Sequence, residues 1–169
     1  NPKRMFVPED KRDLELPRAY KMSYNRPFDT RNHRSVNMPL NSEYPAIRFV
    51  EKAGYDVSYI SGVDVHLNGK KLLSKHKSFI SVGHDEYVSG KQREAVTFAR
   101  DHGVHLHFWS GNEYYWRIRW EKNDNDGPTA APTTMVCYKD TQSWHKLDPE
   151  PNEWTGTWRD GRDINPLGA

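Results

Sequence analysis

Apolar positions recur at helical and at strand spacings in turn along the middle of the chain. A first helix is predicted to begin at a capping residue, Asn41 or Ser42, and to end at Gly54. Tyr55 to Ser61 then alternates between apolar and polar residues, which predicts a strand. A short turn and a short helix are predicted between Asp64 and His76.

The pattern continues with a strand, a helix and a second strand. Phe79 to Gly83 is a short run of apolar and small residues, typical of a strand that is covered on both faces. Ser89 and Gln92 form a predicted capping box for a helix that ends at Gly103, and Val104 to Ser110 is the next strand. Alternating helices and strands indicate parallel crossovers, so we predict a three-layer α/β sandwich with a mostly parallel sheet of flavodoxin type.

The chain divides into three predicted parts. Residues 1–17 are polar, without helical or strand period, and are predicted to form an extended arm or loop. Residues 18–138 form the α/β domain, from a short edge strand at Arg18–Tyr24 to a last strand at Thr134–Tyr138. Residues 139–169 are a loop rich in Trp and Pro, which we expect to pack on the domain or on a partner because Trp side chains are costly to leave in water. A chain that opens on a polar arm is expected to be a piece of a larger domain.

Composition excludes several classes of function. The chain has 169 residues, enough for one domain, and its net charge of +2 comes from interspersed charges that give no phosphate-binding stripe, so we expect no nucleic-acid partner. Cys137 is the only cysteine, which excludes an intrachain disulfide and a thiolate metal cluster. The chain has no apolar run long enough to predict a membrane span. It also has no export signal, so we expect a cytoplasmic location.

Three polar side chains follow the strand 79–83 directly: His84, Asp85 and Glu86. Ligands collect at the carboxyl ends of strands in α/β sheets, and alternation places His84 and Glu86 toward one pocket while Asp85 turns away. This arrangement suits acid/base catalysis or a metal ligand with a helper histidine. It equally suits a solvated turn whose acids cap the next helix.

A second polar group, Gly111-Asn112-Glu113, ends the strand 104–110 and is expected at the same edge of the sheet. Asn112 is a candidate pocket residue that bonds a substrate carbonyl or orients Glu86, or a turn residue that tolerates a left-handed backbone. Tyr114, Tyr115 and Trp116 are candidates for the roof of the pocket, or core aromatics.

Other potentially reactive side chains are expected to be structural. No carboxylate stands at matching spacing from His102, His105 and His107, so these histidines are not predicted ligands. Cys137 lies outside any strand-to-helix elbow, and a cysteine nucleophile is not expected.

Several blocks of the chain, in order, resemble the C-terminal domain of the N,N-dimethylformamidase large (beta) subunit and its relatives. The GHDEY and SGNE blocks in that order are specific, whereas each alone is weak. The resemblance extends from Tyr20 to Pro166 and rests on Tyr24–Phe28, Gly54–Tyr59, Gly83–Tyr87, Ser110–Glu113, Tyr115–Arg117, Arg119, Cys137–Asp140 and Thr155–Arg159.

The resemblance implies a fold similar to class I glutamine amidotransferases, without their cysteine nucleophile. It also implies hydrolysis of N,N-dimethylformamide to formate and dimethylamine at a mononuclear iron, expected as Fe(III), held by two tyrosine phenolates and a glutamate. Carried over to this chain, Glu86 is the carboxylate ligand and Tyr24 one tyrosine ligand, with Tyr20 as a poorer substitute. His84 is the proton-handling histidine and Asn112 a pocket residue, and the second tyrosine has no counterpart here.

Two alternatives stay open beside an iron-dependent amide hydrolase. One is a hydrolase of another C–N bond that works without iron. The other is a noncatalytic binding or scaffold domain of the same fold. The partners implied by the resemblance are a small amide substrate, the rest of the large subunit and a small subunit, in an oligomer.

Overall fold

The computed structural model describes residues 19–26, 42–123, 127–139 and 147–159 of the chain. Within these ranges it has three α-helices and seven strands, a mixed α/β fold as predicted. In chain order the elements are β1 (Lys21–Ser23), α1 (Tyr44–Lys52), α2 (Gly62–Leu73), β2 (Ser78–Gly83), β3 (Tyr87–Ser89), α3 (Gly90–Asp101), β4 (His105–Ser110), β5 (Trp116–Glu121), β6 (Thr134–Val136) and β7 (Gly156–Thr157).

Reciprocal capping boxes start both long helices. At α3 the Ser89 hydroxyl accepts a hydrogen bond from the backbone N–H of Gln92, and the Gln92 side chain accepts one from the Ser89 N–H. This confirms the capping box read from the sequence. Ser61 and Asp64 make the same exchange at α2. Each cap satisfies two backbone donors that a helix start leaves unpaired, which stabilises the helix by about 1 kcal/mol.

The two capped helices pack on each other and cover one face of β2 and β4. Gly69 of α2 allows their close approach, because a Cβ there would lie 2.6 Å from the Cβ of Ala95 in α3. Phe79 of β2 and Leu106 of β4 pack against the buried cluster between the helices. That cluster consists of Val65, Leu73, Ala95, Val96, Ala99 and Val104.

The strands form two sheets of different character. β2 and β4 pair in parallel along their whole length, from Ser78 opposite His105 to Gly83 opposite Ser110. The other sheet has the order β1-β6-β5-β3, with β7 also on β5. β3 and β5 are parallel there, but β1 with β6, β5 with β6 and β5 with β7 are antiparallel.

The prediction of a mostly parallel sheet is therefore wrong for this second sheet. A parallel neighbour needs a crossover connection, usually a helix, whereas an antiparallel neighbour can follow a simple loop. The segment between β5 and β6 is rich in Asn, Asp, Gly and Pro and has no helical spacing. The chain accordingly turns back on itself after β5.

Tyr55 to Ser61 was predicted as a strand, and this prediction is also wrong. The segment forms neither helix nor strand, and the Tyr55 and Tyr59 side chains are 64% and 61% exposed. A strand exists only where a neighbour accepts its backbone hydrogen bonds, and no described strand pairs with this segment. The helix predicted after it begins at Gly62, two residues before Asp64.

The described part of the C-terminal loop packs on β5. Asp148, whose side chain is completely buried, accepts hydrogen bonds from Arg119 of β5 and from both the backbone and the hydroxyl of Thr155. Trp154 and Trp158 are buried, and β7 between them pairs with β5. Trp144 lies outside the described residues. None of the helices in the described ranges has the length and apolar character that a membrane crossing needs.

Candidate active site

The predicted site residues lie where one parallel ladder gives way to the next. The β2–β4 ladder ends at Gly83 opposite Ser110, and the β3–β5 ladder begins at Tyr87 opposite Trp116. Residues 84–86 lie between the ladders on one segment and residues 111–115 on the other. The two segments are joined there by isolated backbone hydrogen bonds instead of a regular ladder. These run from the Tyr114 N–H to the Asp85 carbonyl (2.9 Å) and from the Trp116 N–H to the Glu86 carbonyl (2.8 Å).

The backbone in this gap adopts unusual conformations. Gly83 has φ +85°, and a Cβ there would lie 2.9 Å from Cγ of Glu43. Asn112 and Tyr114 have φ 52° and 51°, in the left-handed region that side-chain-bearing residues seldom occupy. Such conformations persist where the surrounding structure enforces them, and they concentrate at functional sites.

His84 lies between Asn112 and Glu86. The Asn112 side-chain amide donates to Nε2 of His84 at 3.1 Å, and the same Nε2 is 3.6 Å from Oε2 of Glu86. The His84 side chain is 44% exposed, so a small molecule can reach the ring from solvent. Gly111 lies against the ring, because a Cβ at that position would be 3.4 Å from Cε1 of His84. The structure thus brings His84, Glu86 and Asn112 together.

Glu86 is held by a residue that the sequence did not single out as its partner. The indole N–H of Trp116 donates to Oε1 of Glu86 at 3.0 Å. Trp116 is the first residue of β5, and its place beside Glu86 follows from the register of β5 on β3. Register between strands distant in sequence has no local signal, so no sequence pattern indicates this contact.

Asp85 has different hydrogen-bond partners from His84 and Glu86. The Ser81 hydroxyl donates to Asp85 at 2.9 Å and lies 3.3 Å from a carboxylate oxygen of Glu113. The Asp85 backbone N–H donates to the Ser110 hydroxyl. Burial raises the pKa of both carboxyl groups above their usual range. Asp85 and Glu113 therefore link residues at the ends of β2 and β4.

Tyr24, the predicted tyrosine ligand, does not lie beside Glu86. Its ring packs on Trp120 with centroids 5.3 Å apart, and its backbone N–H donates to Thr133. Trp120 is four residues further along β5 than Trp116, which is about 13 Å in a strand. Tyr24 also lies on the β6 side of β5, whereas Glu86 lies on the β3 side.

The described residues consequently do not assemble the ligand set that the resemblance implies. Ligands of one metal ion must lie close together, whereas in this structure Tyr24 packs on Trp120 and Glu86 accepts a hydrogen bond from Trp116. Within the described ranges, no group of three or more His, Cys, Asp or Glu side chains is placed to hold a metal ion. Glu86 is the one predicted donor that lies at the site.

His102 and Cys137 have surroundings of a structural kind. The His102 ring stacks on Phe98 and is hydrogen-bonded to the Phe98 carbonyl. His105 and His107 are exposed on β4, and neither contributes to the His84 cluster. Cys137 is buried beside Trp116 and Ile118.

Comparison with known families identifies one match. The family model described as N,N-dimethylformamidase beta subunit-like, C-terminal, matches residues 4–167, which is nearly the whole chain. This match confirms the resemblance carried by the GHDEY and SGNE blocks. No curated protein matches the chain.

Proposed function

This chain belongs to the N,N-dimethylformamidase beta subunit-like C-terminal family, and we propose that it supplies acid/base residues to an enzyme that hydrolyses a linear amide C–N bond. The observation that carries the proposal is the placement of one accessible imidazole, His84, between an amide and a carboxylate. Nε2 of His84 is 3.1 Å from the Asn112 amide nitrogen and 3.6 Å from the Glu86 carboxylate. A histidine held between such groups is suited to accept and return a proton.

Amide hydrolysis needs one proton moved from water to nitrogen. Water adds to the carbonyl carbon, the C–N bond breaks, and the proton lost by the water leaves with the amine. In the proposed reaction Nε2 of His84 takes the proton from the attacking water and returns it to the departing amine. Uptake of this proton makes the ring cationic, and the Glu86 carboxylate stabilises that charge from a distance of 3.6 Å.

Asn112 has a complementary part in this cycle. Its amide nitrogen donates to the Nε2 lone pair of neutral His84, which fixes the plane of the ring before water binds. This bond breaks when the attacking water takes its place at Nε2, because the single lone pair cannot accept both the Asn112 N–H and the proton of the water. Its left-handed backbone, φ 52°, is what turns the side chain toward His84 from the end of β4. Asn112 is therefore a turn residue and a site residue at once.

The iron expected from the resemblance remains a separate prediction. Such an ion would polarise the amide carbonyl and lower the pKa of a bound water when present. Since the described residues bring only Glu86 and not Tyr24 to the site, we assign no step to it. The glutamine amidotransferase-like fold, N,N-dimethylformamide as substrate, a cytoplasmic location and assembly with the rest of the large subunit and a small subunit are likewise parts of the proposal.

The test compares site variants with a matched histidine control in the full protein. His84→Gln and Glu86→Gln are expected to lower kcat for dimethylamine release by roughly a hundred- to ten-thousandfold, the usual contribution of a positioned acid/base group. His107→Gln changes an exposed histidine on β4 and should leave kcat unchanged. Full activity in both site variants would contradict the assignment. Iron analysis of the same samples tests the metal separately, because an iron-free protein with full activity would exclude the iron centre.

A binding or scaffold role is a second candidate, favoured by exposed aromatic side chains. Phe49, Tyr55, Tyr59 and Trp109 are large, and all are exposed. Large exposed apolar groups often mark contacts with other proteins. If the domain is purely noncatalytic, His84→Gln and Glu86→Gln should leave kcat of the full protein unchanged. The same measurement therefore separates the two candidates.

A further inference from the structure

We propose that Trp116 is a positioning residue that sets the Glu86 carboxylate for its interaction with His84. This role rests on the proposed acid/base function of His84 and extends it to a residue outside the His84, Glu86 and Asn112 cluster. Two hydrogen bonds from Trp116 to Glu86 support this role. The Trp116 backbone N–H donates to the Glu86 carbonyl at 2.8 Å, and its indole N–H donates to Oε1 of Glu86 at 3.0 Å.

The two bonds fix both the backbone and the head group of Glu86. A free glutamate side chain rotates about three bonds, and its planar carboxylate can present either oxygen to a neighbour. With Oε1 bonded to the indole, Oε2 is the oxygen that lies toward Nε2 of His84, at 3.6 Å. Trp116 therefore selects the orientation in which the carboxylate can stabilise a protonated imidazole.

The indole itself has little freedom to move. Trp116 is 3% exposed and packs in the buried cluster with Ile118 and Cys137, and the Tyr115 ring meets it edge-on at 4.9 Å. The orientation of its N–H is thus set when the protein folds, before substrate binds. Groups fixed in advance lose no conformational freedom during the reaction, which is the condition for efficient electrostatic stabilisation.

A cation above the ring strengthens the same bond. Nζ of Lys139 lies 4.5 Å from the centroid of the Trp116 ring, within cation–π range. A positive charge on the face of the indole draws electron density from the ring and makes the N–H a stronger donor. The N–H to carboxylate bond is already charge-assisted, so Lys139 acts on a strong interaction.

The test removes the indole N–H while keeping the shape of the side chain. In the full protein, Trp116 is replaced by 3-benzothienylalanine, in which sulfur takes the place of the N–H, and separately by Phe. The same two replacements at Trp120 are the control, because Trp120 lies on the same strand and donates its indole N–H to Gln92 at 3.1 Å, away from His84. We expect kcat to fall roughly ten- to a hundredfold in both Trp116 variants, the usual effect of losing a bond to a charged group, with KM and the Trp120 variants unchanged.

A spectroscopic readout separates the hydrogen bond from packing. In proton–nitrogen NMR spectra, Glu86→Gln should move the indole N–H signal of Trp116 upfield and leave that of Trp120 in place. A fall in kcat at Trp116 without this change in the signal would overturn the proposal, because the loss would then come from packing. Normal kcat in the Trp116 variants, with activity lost in His84→Gln and Glu86→Gln, would also overturn it and leave the proposed function intact. Full activity in all of these variants would overturn both.

Discussion

Gly83 is the position where a single methyl group should disturb the site most directly. It has φ +85°, and it immediately precedes His84, Asp85 and Glu86. Gly83→Ala introduces two separable penalties: a left-handed backbone for alanine, and a Cβ placed 2.9 Å from Cγ of Glu43 and 3.4 Å from Cβ of Ser42. Relief of these contacts requires the Glu43 side chain to change its rotamer or the start of α1 to shift.

The structure provides a control that carries only the first penalty. Gly103, after α3, has φ +88°, but a Cβ there would meet nothing within 4 Å. Gly103→Ala should therefore lower the free energy of unfolding by about 1 kcal/mol, the backbone penalty alone. Gly83→Ala should lower it by about 2 to 4 kcal/mol, since an overpacked contact adds about 1 to 3. For a chain of this size each kcal/mol shifts Tm by about 2 to 4 °C.

The assay is urea unfolding of the two single variants, followed by a double-mutant cycle with Glu43→Ala. Removing the Glu43 side chain relieves the closest contact, so Gly83→Ala should cost nearly the same as Gly103→Ala in that background. The Gly83→Ala variant should also lose the proposed amidase activity in the full protein, because the strained backbone leads directly into His84 and Glu86. Equal costs for the two glycines, or no coupling between Gly83 and Glu43, would show that the contact with Glu43 does not add to the backbone penalty.

Three further predictions concern the surrounding structure. Asp148→Ala removes a completely buried carboxylate and leaves Arg119 buried without it, so unfolding in denaturant should show a loss of about 3 to 5 kcal/mol, and a loss below 1 would contradict this. Gly69→Ala places a Cβ 2.6 Å from Ala95 and should lower stability by about 1 to 3 kcal/mol in the same assay, whereas a stabilised variant would show that α2 and α3 can separate freely. Burial, aided by Lys91, lowers the pKa of His66 below its ordinary 6.5, so the folded state binds this proton less readily than the unfolded state. The free energy of unfolding should therefore lose no contribution from His66 above pH 6.5 and should decline as the pH falls below it. His66→Gln should flatten that decline relative to the wild type.

Local signals in the sequence were sufficient for several elements of the fold. The capping box of Ser89 and Gln92 needs only residues three apart, and it forms as predicted. The apolar run before Gly83 becomes β2, and the alternating run that ends at Ser110 becomes β4. In each case the residues that specify the element lie within it.

Elements that depend on a distant neighbour were not predictable in this way. The spacing of Tyr55 to Ser61 is that of a strand, but spacing supplies no partner, and the segment stays unpaired among the described strands. β3 is the reverse case, since it becomes a strand because β5 lies beside it. The three residues of β3 are too few to stand out in a sequence pattern.

The same distinction between local and distant signals separates the site residues that the sequence predicts from those that it does not. His84, Glu86 and Asn112 were identifiable because each directly follows an apolar strand, where parallel pairing brings strand ends together. Tyr24 was placed at the site by resemblance alone. Its position depends on β1 pairing with β6, which in turn pairs with β5, and these two registers put it at Trp120 instead of Glu86.

The location of the site follows from the interruption between the two parallel ladders. A continuous ladder would point successive side chains to opposite faces, so His84 and the side chain of Asn112 could not both turn toward one another from the ends of different strands. The break at Gly83 and the left-handed turn at Asn112 release both residues from that alternation. Beyond the break, strand pairing resumes at Trp116, and its two hydrogen bonds to Glu86 fix the position of the third residue of the cluster. The unpaired stretch thus allows the three side chains to converge, and the ladders on either side hold them in place.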